Sequence, residues 1–134
     1  MKSYTDLDAY QLSMDLVEEV YTLTRTFPPE ELYGLTSQLR RAATSTVANI
    51  AEGFGRFTYD DKAHRYTIAR GECTEVEAFL FIALRLKFTT TEKVKRALQL
   101  VKHVGRLLSG LIKSCKSHRD HPSIRLLQYS STPS

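Results

Sequence analysis

The sequence has no tryptophan, and its 134 residues include only two cysteines, four prolines and six glycines. So few helix-breaking residues leave long stretches in which helices can run uninterrupted. There is also no apolar run of membrane-spanning length and no basic-then-apolar segment at the N-terminus, so we expect neither a membrane span nor a secretory signal. Two thiols without such a signal do not make a disulfide framework, and we expect a reducing cytoplasm.

The net charge of +4 is unevenly distributed along the chain. Residues 1–34 carry a net charge of −5, whereas residues 89–134 hold nine bases and two acids. A basic C-terminal third indicates a surface that contacts a polyanion, or contacts between subunits that join the basic part to the acidic first helix.

The segment from Leu35 to Arg56 has the clearest helical pattern. At 100° per residue it carries two stripes separated by small residues, which predicts a helix packed on several sides. The apolar stripe consists of Leu35, Leu39, Ala43, Val47, Ile50 and Phe54, and the polar stripe of Gln38, Arg41, Ser45, Asn49 and Glu52.

Apolar periodicity predicts helices over about 6–26, 35–54, 59–87 and 90–115. Four amphipathic helices with short connections predict an all-α, antiparallel up-down-up-down four-helix bundle over residues 1–117. Residues 118–134 are predicted to be a polar, basic and mobile tail.

Helix ends are predicted from their capping residues. Thr5, Thr58 and Thr89 are each followed three residues later by an acid, as in a capping box. Gly55 is predicted to take the left-handed position that often follows a helix.

Two carboxylates conflict with the predicted core. Glu72 and Glu75 lie on the apolar line of the third helix, where an unpaired charge would cost several kcal/mol. We therefore predict a structural polar network with the central helix, and a carboxylate pair for acid–base chemistry is the alternative. The predicted network consists of Gln38, Arg41, Asn49, Glu52, Glu72 and Glu75.

No set of residues with a catalytic or metal-binding pattern is found. The Glu-x-x-His pairs of di-iron bundles are absent, since Glu72 is followed by Glu75 and Glu75 by Ala78. His118 and His121 form an H-x-x-H without further ligands, which suits adventitious metal binding better than a built site. We expect a protein that is not an enzyme and has no cofactor.

The fourth helix carries a basic row, which we define as Lys95, Lys102, Arg106 and Lys113. The row lies opposite the apolar face and spans about 27 Å at 1.5 Å per residue. A solvated helix face is the alternative, but such faces usually mix signs. The row predicts binding to RNA or DNA backbones, and without an aromatic residue on this face we expect no base stacking. The predicted nucleic-acid-binding residues are Lys95, Arg96, Lys102, Arg106, Lys113 and Lys116.

The residues Tyr33-Gly-Leu-Thr-Ser-Gln-Leu-Arg-Arg-Ala42 and Asn49-Ile-Ala-Glu-Gly-Phe-Gly-Arg56 resemble the signature of the 23S rRNA intervening-sequence protein family. The resemblance extends to Phe27-Pro28 before these residues and to Ala69-Arg-Gly-Glu72 after them. It covers about residues 4–115, with a mild variation at residues 46–48, and it leaves out the tail.

The resemblance implies a four-helix bundle that assembles as a ring, commonly a homopentamer. It also implies kinship with the accessory variability determinant proteins of diversity-generating retroelements, which bind nucleic acid and associate with a reverse transcriptase. We therefore expect self-association, an RNA or DNA partner and a role as an accessory or scaffold for ribosomal RNA or a reverse transcriptase. The alternative is a structural module for protein–protein interaction with no nucleic-acid role.

Overall fold

The computed structural model describes residues 2–121, which fold into four α-helices without a strand in that range. The helices are α1 (Asp8–Thr24), α2 (Leu35–Gly55), α3 (Tyr59–Arg85) and α4 (Thr91–Asp120), and two short 3-10 turns lie at Tyr4–Asp6 and Pro29–Glu31. Within residues 2–121, no helix combines the length and the apolar character needed to cross a bilayer.

Each helix packs against its neighbours in the chain, and α4 also packs against α1, which closes the bundle. Contacts run in opposite directions along neighbouring helices, as in the pairing of Arg41 with Glu75 and of Glu52 with Arg65 between α2 and α3. The largest fully buried side chains, which come from all four helices, are Leu16, Leu39, Ile50, Leu80 and Leu108. The four predicted helices are therefore present and surround a single core.

Except for the end of α4, the helix ends lie within two residues of the predicted positions, but the caps differ. The hydroxyl of Thr58 accepts from the backbone N–H of Asp61 at 3.1 Å, as the sequence predicts. At the start of α4 the capping residue is Thr90 and not Thr89, because the Thr90 hydroxyl accepts from the N–H of Lys93. Thr5 does not cap α1: the N-cap residue of α1 is Leu7, which makes no side-chain cap hydrogen bond. Ser3 caps the preceding 3-10 turn instead, because its hydroxyl accepts from the N–H of Thr5.

The structure corrects the predicted conformation at the C-terminal end of α2. Gly55 is the last residue of α2 and has no positive φ, so it does not occupy the predicted left-handed position. The positive φ lies after α3, where Lys87 has a φ of 62°. The N–H of Lys87 donates to the carbonyl of Leu84 and that of Phe88 to the carbonyl of Ala83, the two hydrogen bonds of a Schellman motif.

The fourth helix is longer than predicted and extends into the predicted tail. It continues to Asp120, where Arg119 pairs with Asp60 of α3 at 2.9 Å. Residues 118–120 are therefore helical, and residues 122–134 of the predicted tail lie outside the described residues.

The core line of α3 is also displaced from the predicted one. It includes Tyr66, Ala69, Cys73 and Leu80, whereas Glu72 lies at its edge and is only partly buried, and Glu75 is exposed. The displacement moves the carboxylate of Glu72 from the predicted core to the boundary between α2 and α3, so its burial costs less free energy.

Candidate nucleic-acid interface

The basic row lies on the outer side of α4. The apolar positions of this helix, among them Val94, Val101 and Leu108, are buried against the other helices. A helix with 3.6 residues per turn then turns the opposite side to solvent. All four residues of the basic row, Lys95, Lys102, Arg106 and Lys113, are exposed, and so is Lys116 in the following turn.

Arg96 differs from the other predicted nucleic-acid-binding residues. Its guanidinium pairs with Glu19 at 3.1 Å and with Asp15 at 3.9 Å, both on α1. Among the described residues, the other five predicted cations form no salt bridge. The charge of Arg96 is therefore directed to α1, and the remaining cations keep their charge available at the surface.

A groove of about 470 Å³ lies between α3 and α4. Lys102 and Arg106 border it from α4, and Arg70 borders it from α3, where its guanidinium lies 3.4 Å from the hydroxyl of Ser109. The groove also contains one acid, Glu77. It thus brings three cations from two helices to one concave surface, which we call the α3/α4 groove. Its full lining is Arg70, Cys73, Thr74, Glu77, Val101, Lys102, Gly105, Arg106 and Ser109.

An apolar depression of about 390 Å³ continues the α3/α4 groove toward the start of α4. Its apolar walls are Phe81 of α3 and Leu98 of α4, and Lys102 lines both the depression and the groove. Lys95 and Gln99 border the depression from α4. We name this part the Phe81 depression.

The basic row itself has no aromatic residue, as expected, but α3 contributes Phe81 beside it, whose side chain is 51% exposed. Sequence reasoning missed Phe81 and Arg70 because they belong to another helix. The signal that was available is the spacing of residues 70, 74, 77 and 81, which places them on one side of α3.

The polar network forms on the opposite side of α3, against α2. The guanidinium of Arg41 donates to Glu72 at 3.1 Å and to Glu75 at 2.8 Å, and also lies 3.4 Å from the amide oxygen of Gln38. Desolvation lowers the pKa of Arg41 and the two carboxylates raise it, with a net upward shift. The Glu72 side chain is 17% exposed, and Arg41 supplies the opposite charge that a carboxylate in such a position needs.

The other two predicted network residues form a second cluster further along α2. Glu52 pairs with Arg65 at 3.0 Å and with Arg56 at 3.4 Å. Arg65 also donates to the amide oxygen of Asn49 at 3.5 Å, and the Asn49 amide donates to the carbonyl of Ser45. The six predicted residues therefore divide into two clusters, each of which joins α2 to α3.

The side chain of His118 packs on a neighbouring ring, and Cys73 and Cys115 are buried. His118 stacks on Tyr59 with ring centroids 5.1 Å apart, and its Nδ1 lies 2.8 Å from the carbonyl of Ser114. Within the described range, no three His, Cys, Asp or Glu side chains are grouped so that they could hold a metal ion.

Cys73 lies beneath the α3/α4 groove and is buried. Burial raises the pKa of its thiol to about 12, and the neighbouring charge of Glu77 acts in the same direction. The thiol contacts the carbonyl of Val101 at 3.5 Å. Cys73 is thus a neutral packing residue at neutral pH, since the thiolate is the nucleophilic form.

Comparisons with known proteins agree with this fold. A model of the 23S rRNA-intervening sequence protein family matches residues 5–110. A crystal structure from Bacteroides thetaiotaomicron, described as a protein of unknown function from the S23 ribosomal protein family, superposes with a TM-score of 0.72 at 24% identity. That superposition covers 78% of this chain and 95% of the other. No curated protein matches the sequence significantly.

Proposed function

Because the chain belongs to the 23S rRNA-intervening sequence protein family, we propose that it is a non-enzymatic helical bundle that binds nucleic acid through the α3/α4 groove. In this proposal Lys95, Lys102 and Arg106 contact phosphates, and Arg70 is added to the residues expected from the sequence. The protein acts as an accessory or scaffold factor for ribosomal RNA or for a reverse transcriptase of a diversity-generating retroelement.

The observation that carries the proposal is the concentration of positive charge in one concave surface. The α3/α4 groove has three cations and one acid, and Lys95 adds a fourth cation where the Phe81 depression begins. Low-dielectric walls on both sides of a groove strengthen the field of the charges that line it. Phosphates that enter it release counterions, so the affinity should fall steeply with salt.

A salt titration of binding tests this proposal. The ligand is fluorescein-labelled RNA, and the variant replaces Lys95, Lys102 and Arg106 with glutamine. Each lost phosphate contact should reduce the slope of log K against log salt by about 0.7 for a single strand and about 0.9 for a B-form DNA duplex.

Arg96→Gln is the matched control. It removes one charge from the same helix, but Arg96 faces Asp15 and Glu19 of α1 and not the groove. We expect the triple variant to lose most of its binding and the Arg96 variant to keep its salt slope. An unchanged slope in the triple variant would contradict the proposal.

We also propose that the protein assembles with itself as a ring, the homopentamer that the family resemblance implies. Exposed apolar side chains lie at one end of the α2/α3 pair: Leu32, Tyr33, Ile82 and Leu86. They are separate from the groove, because 100° per residue places Ile82 and Leu86 away from the α4 side of α3. A ring would repeat the groove and strengthen weak contacts through multivalency.

Light scattering tests self-assembly. Replacing Tyr33 and Ile82 with serine should yield a folded monomer, because it removes apolar area from the proposed contact. Thr44→Ser, on the exposed surface of α2, is the control and should leave the oligomer unchanged. A wild-type protein that is monomeric at high concentration would contradict the proposed ring.

The second candidate is a structural module for protein–protein interaction without a nucleic-acid role. The same exposed apolar side chains favour it, since large apolar patches mark interaction sites. In one form of this candidate, the basic row of one subunit binds the acidic first helix of the next. Fewer acids are available for that contact, because Asp15 and Glu19 pair with Arg96 in their own chain. That form predicts subunits that separate at high salt.

A further inference from the structure

We infer that the α3/α4 groove accepts a single strand of nucleic acid, with one base stacked on Phe81 and the backbone running toward Arg70. The inference rests on the proposed function and adds a preference for single strands over duplexes. It follows from three features of the surface: an exposed aromatic ring, cations beside that ring, and a groove that continues from it.

The first feature is the surroundings of the Phe81 ring. A single exposed apolar side chain is common and by itself needs no explanation. Phe81, however, lines a depression that is also lined by Lys95, Lys102 and Gln99. An aromatic face beside cations is the combination that single-strand binding proteins use, because every base has a face that can stack.

The second feature is the position of the ring between two helices. Phe81 shares its depression with Leu98 between two helices, and the depression is open to solvent. In a duplex the base faces are covered by neighbouring bases, so a ring at this position reaches only the backbone. A single strand can instead turn one base outward and place it on the ring.

The third feature is the path from the ring to the phosphate contacts. Phe81 and Arg70 are 11 residues apart on α3, which corresponds to about 16 Å along the helix. Lys102 lines both the depression and the groove, and Arg106 lies further along with Arg70. A strand of a few nucleotides can therefore place its base at one end and its phosphates at the other.

Glu77 sets a condition on this path. Its carboxylate lines the middle of the groove and disfavours a phosphate there. It accepts hydrogen bonds, so it can bind a base amino group or a ribose hydroxyl. Glu77 should therefore favour base or sugar contacts at this point, and Glu77→Gln should strengthen binding that depends on the backbone alone.

Fluorescence anisotropy with a labelled single strand and the corresponding duplex tests the inference. Phe81→Ala should weaken single-strand binding by roughly 5- to 150-fold, the effect of removing one stacked base, and leave duplex binding and the salt slope unchanged. Phe81→Tyr should restore the affinity, and Phe81→Leu should not, because leucine keeps apolar area without an aromatic face.

Met14→Ala is the matched control. Met14 is also an exposed apolar residue, but it lies on α1 and outside the Phe81 depression. We expect its removal to leave the affinity for the single strand unchanged. Equal losses in the Phe81 and Met14 variants would overturn the inference, since they would indicate a general effect of removing exposed apolar area.

A second readout uses the absence of tryptophan from the chain. Phe81→Trp introduces a single indole, whose fluorescence a stacked base should quench in proportion to bound single strand. If Phe81→Trp binds the single strand by anisotropy but its indole fluorescence is not quenched, the stacking is overturned and the proposed function stays intact. The same holds if Phe81→Ala binds the single strand without loss of affinity. No salt-sensitive binding to any nucleic acid overturns both. Loss of self-assembly in Phe81→Ala without loss of binding would assign the depression to another protein chain and overturn the inference.

Discussion

The ring of Tyr66 lies against the backbone of Gly53. A β-carbon placed on Gly53 would stand 2.6 Å from Cε1 and 2.8 Å from Cδ1 of that ring, closer than real β-carbons approach other atoms. Tyr66 is 3% exposed and belongs to the core of α3. The absent side chain of Gly53 is therefore what lets α2 and α3 approach at this level.

Gly53→Ala should destabilise the protein by about 1–3 kcal/mol, because Tyr66 must shift within a packed core. Gly55→Ala is the matched control, since a β-carbon there meets nothing within 4 Å and φ is not positive. The control should be neutral or stabilising by up to about 1 kcal/mol. Urea unfolding measures both, and equal stability of the two variants would show that Tyr66 does not confine Gly53.

Arg41→Gln should cost about 1–2 kcal/mol, because it leaves the carboxylate of Glu72 without a partner in a largely buried position. Glu75→Gln should cost less than about 1 kcal/mol, because Glu75 is half-exposed. Adding Glu72→Gln to Arg41→Gln should recover part of the lost stability. Independent, additive effects in this double-mutant cycle would exclude a coupling between Arg41 and Glu72.

Lys87→Gly should stabilise the protein by about 1 kcal/mol, because Lys87 adopts a left-handed conformation that glycine takes without steric cost. Lys93→Gly is the control: it removes the same side chain from an exposed position inside α4 and should destabilise by up to about 1 kcal/mol. Thermal unfolding should show shifts of opposite sign. A lower melting temperature for Lys87→Gly would argue against the Schellman motif at the end of α3.

The free energy of unfolding should fall above about pH 9. Burial raises the pKa of both Cys73 and Tyr66 to about 12, so the folded state keeps protons that the unfolded state has lost. This contribution is complete below the unfolded pKa values and is lost as the pH rises toward 12. Cys73 alone should account for roughly 2 kcal/mol at pH 10.5.

Urea unfolding between pH 8 and pH 10.5 measures this loss. Cys73→Ala should lower stability at every pH and flatten its decline above pH 9. Burial lowers the pKa of Lys62, which acts in the opposite direction, because the unfolded state then holds the extra proton. Stability that rises over this range would contradict the burial of the two acidic groups.

The number and order of the helices could be predicted because the signals for them are local. The 3.6-residue period, the two prolines after α1 and the Thr58 cap each lie within a few residues of the element that they define. The predicted cap of α4 lies one residue before the observed one, because Thr89, Thr90 and Thr91 are three consecutive threonines and each can act as a cap. The structure assigns the cap to Thr90 and leaves the Thr89 hydroxyl buried without a hydrogen-bond partner among the described residues.

The last turn of α4 and much of the groove could not be predicted, because they depend on contacts between residues that are far apart in the sequence. The last turn of α4 is polar, and its pairing of Arg119 with Asp60 joins residues 59 positions apart. The basic row could be recognised from α4 alone. Arg70 and Phe81 could not be assigned to the same surface, because that requires the register of α3 against α4.

The burial of Cys73 beneath the groove makes its thiol a probe of how often α3 and α4 separate. Its thiol can meet an alkylating reagent only when α3 and α4 separate, so the rate of modification reports the frequency of that opening. The measurement is made at a pH where an exposed thiol reacts quickly. A modification rate that does not change at low concentrations of urea reports local opening of the helices and not global unfolding. A strand lying across the groove would hold the two helices together and slow the reaction, which makes one native cysteine a time-resolved measure of occupancy.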